Sequence, residues 1–110
     1  MKVAFVGSRN LTNIMLEQYL SEDVEEIVSG GAVGVDACAA AYAKSKGIKL
    51  AEFLPQYERY GRAAPIIRNK KIVDYADKLI VFWNGSSKGT LSVIQYAQKN
   101  GKPLEVILCK

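Results

Sequence analysis

Histidine is absent from this chain of 110 residues, cysteine occurs twice and proline three times. Without imidazole the usual general base is missing, so Ser-His-Asp and Cys-His chemistries are excluded; any catalysis must rest on carboxylates, Arg, Lys, Tyr or the ligand itself. Cys38 sits in an alanine-rich stretch and Cys109 beside the C-terminus, neither with metal-ligand spacing. Both thiols read as structural or incidental, and neither a metal nor a cofactor is expected. No apolar run approaches the roughly 20 residues that span a bilayer, and Met1 leads at once into a strand-like segment rather than a signal peptide. A cytoplasmic chain without membrane contact is the expectation. One domain, 1–110, suits this length.

The formal charge of +4 is unevenly spread. Residues 1–55 carry 5 basic and 7 acidic side chains, and residues 56–110 carry 10 basic and 4 acidic. The second half attracts anions. Its basic residues read as scattered over predicted helices without aromatic interleaving, so a phosphate ligand or a solvated surface accounts for them and nucleic acid is not expected as a partner.

Lys2 to Val6 is a short apolar run ended by Gly7, the pattern of a strand buried on both faces. Asn10 or Thr12 can cap a helix to about Ser21, with Leu11, Met15 and Tyr19 at helical spacing. A second strand, Glu25 to Ser29, stops at Gly30-Gly31. The alanine-rich run from Val33 to Lys46 predicts a helix closed by Gly47, before a strand from Ile48 to Leu54. Pro55 to Ala64 is expected as one long loop and a candidate lid. Pro65 opens a helix to about Ala76, and Lys78 to Trp83 gives the strongest strand signal. A helix from about Gly89 to Lys99 and a strand from Leu104 to Leu108 complete the alternation. With no hairpin signal the crossovers are right-handed. The expected fold is α/β, a Rossmann-like three-layer sandwich whose five-stranded parallel sheet has the order 3-2-1-4-5 and is covered on both faces.

In such sheets ligands bind outside the carboxyl ends of the strands, near the switch point between strands one and four. Four unusual segments fall there: Gly7-Ser8-Arg9; Ser29-Gly30-Gly31-Ala32 with Gly34; Arg68-Asn69; and Asn84-Gly85-Ser86-Ser87-Lys88-Gly89-Thr90. Glycine lets backbone N–H groups approach an anion, and helix N-termini add partial positive charge. Ser87 and Thr90 offer hydroxyls, and Arg9 and Arg68 charge-assisted bonds to phosphate. Asp36 could accept from ribose hydroxyls or simply complement a helix N-terminus. Trp83 could stack on a base or end a buried strand as core. The glycine spacings match neither a P-loop nor a dinucleotide fingerprint, which disfavours ATP hydrolysis and NAD-dependent hydride transfer.

Through GSR at 7–9, SGGAVGVD at 29–36, RN at 68–69 and ADKLIVFWNGSSKGT at 76–90, the chain resembles the SLOG superfamily in its YspA/YpsA-related branch. The resemblance implies a Rossmann-like binder or processor of nucleotides and nucleotide-derived signals, with relatives among the DNA-handling DprA proteins and the lonely-guy (LOG) phosphoribohydrolases. In the LOG pattern an arginine lies nine residues before the Asp of strand four's A/S-D pair, and Arg68 stands so before Asp77. The LOG glutamate is replaced by Val93, which cannot stabilise the positive charge that develops on the sugar during N-glycosidic cleavage. Asp36 or Glu58 would have to substitute. Three readings follow: a binder of a phosphate-bearing, nucleotide-derived small molecule, in the lead; a LOG-like phosphoribohydrolase using Arg68 with Asp36 or Glu58; and, third, a nucleic-acid-binding protein. A homo-oligomer is also expected, since the small residues from Ala37 to Ala43 permit close helix packing.

Overall fold

A computed structural model describes residues 1–7, 16–20, 23–31 and 34–109. In chain order these form β1 (Lys2–Gly7), a 3-10 turn (Leu16–Tyr19), β2 (Glu26–Ser29), α1 (Val35–Lys46), β3 (Lys49–Glu52), α2 (Tyr57–Tyr60), a second 3-10 turn (Gly61–Ala63), α3 (Ala64–Tyr75), β4 (Lys78–Trp83), α4 (Lys88–Lys99) and β5 (Leu104–Leu108). The sheet order is β3-β2-β1-β4-β5, and every pairing is parallel. This is the expected Rossmann-like topology, with the crossover direction reversing between β1 and β4.

The sheet divides two apolar clusters by strand alternation. Val3, Phe5, Ile27, Ile80 and Phe82 face α1, where Val35, Ala39 and Ala43 meet them. Ala4, Val6, Val28, Leu79 and Val81 face the opposite way, onto Ile72, Val73 and Ala76 around α3 and Val93, Ile94 and Ala97 of α4. β1 and β4 are buried along their middles because both faces and both edges are covered. Each fully buried Val, Ile or Phe contributes about 1.5–3 kcal/mol relative to exposure.

Both faces are covered as expected, and the coverage thins outward. No residue of β3 or β5 is buried, and Val106 and Leu108 are exposed. Edge strands have a neighbour on one side only, so less of their surface is packed.

Local chemistry sets the helix ends. Pro65 occupies the first turn of α3, where its missing N–H costs nothing. Ser87 caps α4 by accepting from the Thr90 N–H at 3.3 Å. At the other end of α3, the Lys102 ammonium donates to the Ala76 carbonyl at 2.6 Å. The stretch expected as one long loop is ordered differently: Tyr57–Tyr60 makes one α-helical turn and Gly61–Ala63 a 3-10 turn that runs into α3. Four residues carry no readable helical period, so only tertiary context selects this turn. The helix expected between Asn10 and Ser21 lies largely outside the described residues, and its described part is the Leu16–Tyr19 turn.

Candidate functional site

At the carboxyl edge, where the crossover direction reverses, the strand ends diverge over a crevice of about 420 Å³, toward the small end of ordinary ligand cavities. β1 contributes Val6 and Gly7 to its walls, the turn after β2 contributes Gly30, α1 contributes Asp36, and α3 contributes Pro65, Arg68, Asn69 and Ile72. Asn84, Ser87, Gly89, Thr90 and Val93, from the β4–α4 turn and α4, close the remaining side. The positions on α3 are spaced three and four apart, which places them on one helical face.

The glycines here have different physical causes. A Cβ on Gly7 would lie 2.3 Å from Val35 Cγ2 and 2.9 Å from the Phe82 carbonyl oxygen, so its bareness lets β1 pack against α1 and β4. A Cβ on Gly30 would lie 2.6 Å from Arg68 Nη1 and 2.9 Å from Asp36 Oδ2; this glycine makes room for the two charged groups. Gly89 is different, because a Cβ there would meet nothing within 4 Å. Neither packing nor a left-handed conformation demands glycine at 89, although the residue lines the crevice in the first turn of α4. The first N–H groups of a helix lack intrahelical partners, so a bare α-carbon there leaves backbone open to an incoming anion.

Arg68 is anchored rather than simply solvated. Its Nη1 donates to the Gly30 carbonyl at 2.9 Å and its Nε to Asn69 Oδ1 at 2.8 Å, holding the guanidinium across the end of β2. Asp36 is buried within the first turn of α1. The β4–α4 turn is self-braced. Asn84 Oδ1 accepts from the Ser86 and Ser87 N–H groups, each at 2.9 Å, and Ser87 Oγ donates to Thr90 Oγ1 at 3.1 Å. Val93 is buried at the crevice floor with Val6 and Ile72, so the position of the LOG glutamate is an apolar surface.

Most of the expected site residues therefore converge, and some do not. Ser29 is fully buried and supports the turn, accepting from the Gly31 N–H at 3.2 Å and donating to the Asp36 carbonyl at 3.5 Å. Gly34 caps α1 from a buried position; Gly31, Gly85 and Ser86 sit outside the crevice lining. Trp83 lies outside the crevice lining. Its indole N–H donates to the Ser87 carbonyl at 3.0 Å, and its ring packs on the α3–α4 cluster. Glu58 also lies outside the lining, on α2 beside a separate depression with Pro55 and Arg59. Ser8, Arg9 and Ala32 lie outside the described residues. Sequence reasoning missed the crevice roles of Val6, Pro65 and Ile72, which carry no polar signal; their helical and strand periodicity was the available clue.

The opposite, amino edge holds the perturbed titratable groups. Glu26 is buried at the start of β2, accepts a hydrogen bond from the Tyr75 hydroxyl and pairs with Lys49 at 3.4 Å. The Tyr75 bond, aided by Lys49, holds its carboxyl below the ordinary range against the opposing effect of burial. The same bond pushes the Tyr75 phenol up. Asp77 is held low mainly by the Lys2 N–H, which donates to it at 2.7 Å. No group of three or more His, Cys, Asp or Glu suited to a metal occurs among the described residues, and none of their helices is long and apolar enough to cross a membrane.

Beside the crevice, Tyr57, Arg59, Tyr60 and Arg62 alternate aromatic and basic side chains along α2 and the turn after it. The Tyr60 ring has the Arg59 guanidinium 5.3 Å and the Lys71 ammonium 5.5 Å from its centre. The aromatic interleaving that the sequence was read as lacking is present here.

These features define the class as a Rossmann-like α/β protein with a polar crevice at its topological switch point. Neither a family model nor a curated protein matches the chain. Among solved structures it is similar to DNA processing protein A from Helicobacter pylori, described by its single-stranded DNA binding mode, with a TM-score of 0.78 and 25% identity. The alignment covers 100% of this chain and 66% of that one, so the chain spans just under two thirds of its neighbour's length. The likeness is consistent with the SLOG resemblance. It also corrects the expectation that set nucleic acid aside as a partner, since the neighbour binds single-stranded DNA.

Proposed function

We propose that the chain binds single-stranded nucleic acid, seating the sugar-phosphate backbone in the crevice at the carboxyl edge of the sheet. The observation that carries this reading is Gly89, bare over open space in the first turn of α4 and facing a crevice that Arg68 also lines. Backbone N–H groups there meet a phosphate, the Thr90 hydroxyl that Ser87 orients adds a donor, and the apolar floor of Val6, Ile72 and Val93 takes the sugar. The formal charge of +4 favours a polyanion, and the described neighbour binds single-stranded DNA. An apolar side chain at 93 suits binding better than hydrolysis of an N-glycosidic bond. Placement in the YspA/YpsA-related branch rests on the order of the four motifs and accords with this reading.

Fluorescence anisotropy of a labelled dT12 oligonucleotide tests it. Binding is expected to weaken linearly in log–log form with salt, with a slope near −0.7 for each phosphate engaged. Affinity should rise with oligonucleotide length. Absence of dT12 binding at low salt, or displacement of dT12 by thymidine monophosphate with no dependence on length, would overturn the proposal in favour of a small-molecule site.

A further inference from the structure

On the adjoining face of α3 is a second cavity, of about 430 Å³. Helical periodicity explains the division. Pro65, Asn69 and Ile72 look into the crevice, whereas Ala64, Ile67 and Lys71, one or two residues earlier, look into the second cavity. Arg68 lines both, so α3 is the partition and its arginine is the shared wall.

The second cavity has the chemistry of a stacking platform. Tyr60 lines it, half-buried, with the Lys71 ammonium 5.5 Å and the Arg59 guanidinium 5.3 Å from the ring centre. Leu54, exposed at the exit of β3, supplies apolar surface, while Gln56 offers both donor and acceptor. Glu52 is the acidic group of the lining, set against Arg68 and Lys71. Both cations lie over the ring, so a base stacks on Tyr60 by displacing one of them toward its phosphate, and an aromatic face with a cation beside it holds a single strand without reading sequence.

We infer that this second cavity is a base-stacking subsite for single-stranded nucleic acid whose backbone lies in the crevice, with Tyr60 as the platform and Lys71 as a phosphate contact. The inference rests on the function proposed above and adds a site to it. A strand passing over α3 engages Arg68 between the two.

The test compares dT12 with a dT12 carrying abasic sites, on the wild type and on Tyr60→Ala, Tyr60→Phe, Lys71→Ala and Gly89→Asp. Tyr60→Ala is expected to weaken dT12 binding by about tenfold or more, the usual loss for a stacked base, while Tyr60→Phe stays within about twofold. With the abasic strand, wild type and Tyr60→Ala bind alike, an outcome that a purely structural tyrosine would not produce. Lys71→Ala lowers the magnitude of the salt slope by about 0.7. Thermal melts establish that the variants are folded, and the abasic comparison on the wild type needs no variant. If the abasic strand binds wild type as tightly as dT12, or Tyr60→Ala binds dT12 normally while Gly89→Asp is weakened, the subsite is refuted and the crevice stands. If wild type binds no dT12, the crevice reading falls and takes the subsite with it.

Discussion

The two ends of the sheet spend their polar groups differently. At the amino edge they bond to one another: Tyr75 to Glu26, Glu26 to Lys49, the Lys2 N–H to Asp77, and Lys102 to the end of α3. The carboxyl edge pins its parts just enough to hold a shape, Arg68 on Gly30 and Asn84 on the turn that follows it, and leaves volume between them. One edge closes the fold and the other leaves a surface for something else. Charged residues alone would not separate the two, because both edges have them and bond them; the difference lies in whether a cavity opens beside the bonded groups.

Substitutions at each edge can break or sharpen this contrast. The largest effect is expected from Gly7→Ala, which drives a methyl group against Val35 and the Phe82 carbonyl. Overpacking of this kind costs about 1–3 kcal/mol, a fall of several degrees in melting temperature for a domain of this size. An unchanged melt would mean that α1 retreats freely and that the close packing is no constraint. Next comes Tyr75→Phe at the amino edge, expected to lower the melting temperature by a few degrees near neutral pH while leaving dT12 affinity unchanged. Because the folded-state carboxyl of Glu26 lies below its ordinary value of 4.5, the wild-type advantage is complete above that pH and disappears as the pH falls through the folded-state value. Denaturant midpoints measured across acidic pH would show the two proteins converging; a constant gap would remove Glu26 from the account. Gly89→Ala should have the smallest effect on stability and the opposite sign, a gain of up to about 1 kcal/mol from better helix propensity. Its dT12 binding should nevertheless weaken severalfold. A variant both more stable and equally good at binding would show that the open glycine is not an anion site.

The strand order was legible because β1 and β4 are continuous apolar runs and nothing between elements reads as a hairpin. The crevice was legible in its glycines and in Arg68 and Asn69, whose positions follow from strand ends and helix starts. What escaped was of two kinds. Val6, Pro65 and Ile72 line the crevice with apolar surface, and in a sequence such residues look the same whether they face a core or a cavity. Tyr57 to Arg62 failed to register as an aromatic and basic surface because the segment is too short for a helical period, so its side chains could not be assigned to a common face. Trp83 left two roles open, base stacking or core, and its indole N–H is taken by the Ser87 carbonyl.

The pairing of β4 with its neighbours has a consequence in arithmetic rather than chemistry. Val81 is matched to Val6 on one side and Val106 on the other, and Phe82 points to the opposite face, among the residues packed by α1. A slip of one residue would turn every side chain of β4 over and deliver Phe82 to the face whose outer end is the crevice floor. The hollow therefore depends on odd and even as much as on its loops. Substitutions in the surrounding turns leave that parity alone; one residue inserted or deleted within β4 inverts it, and the space would be filled from below.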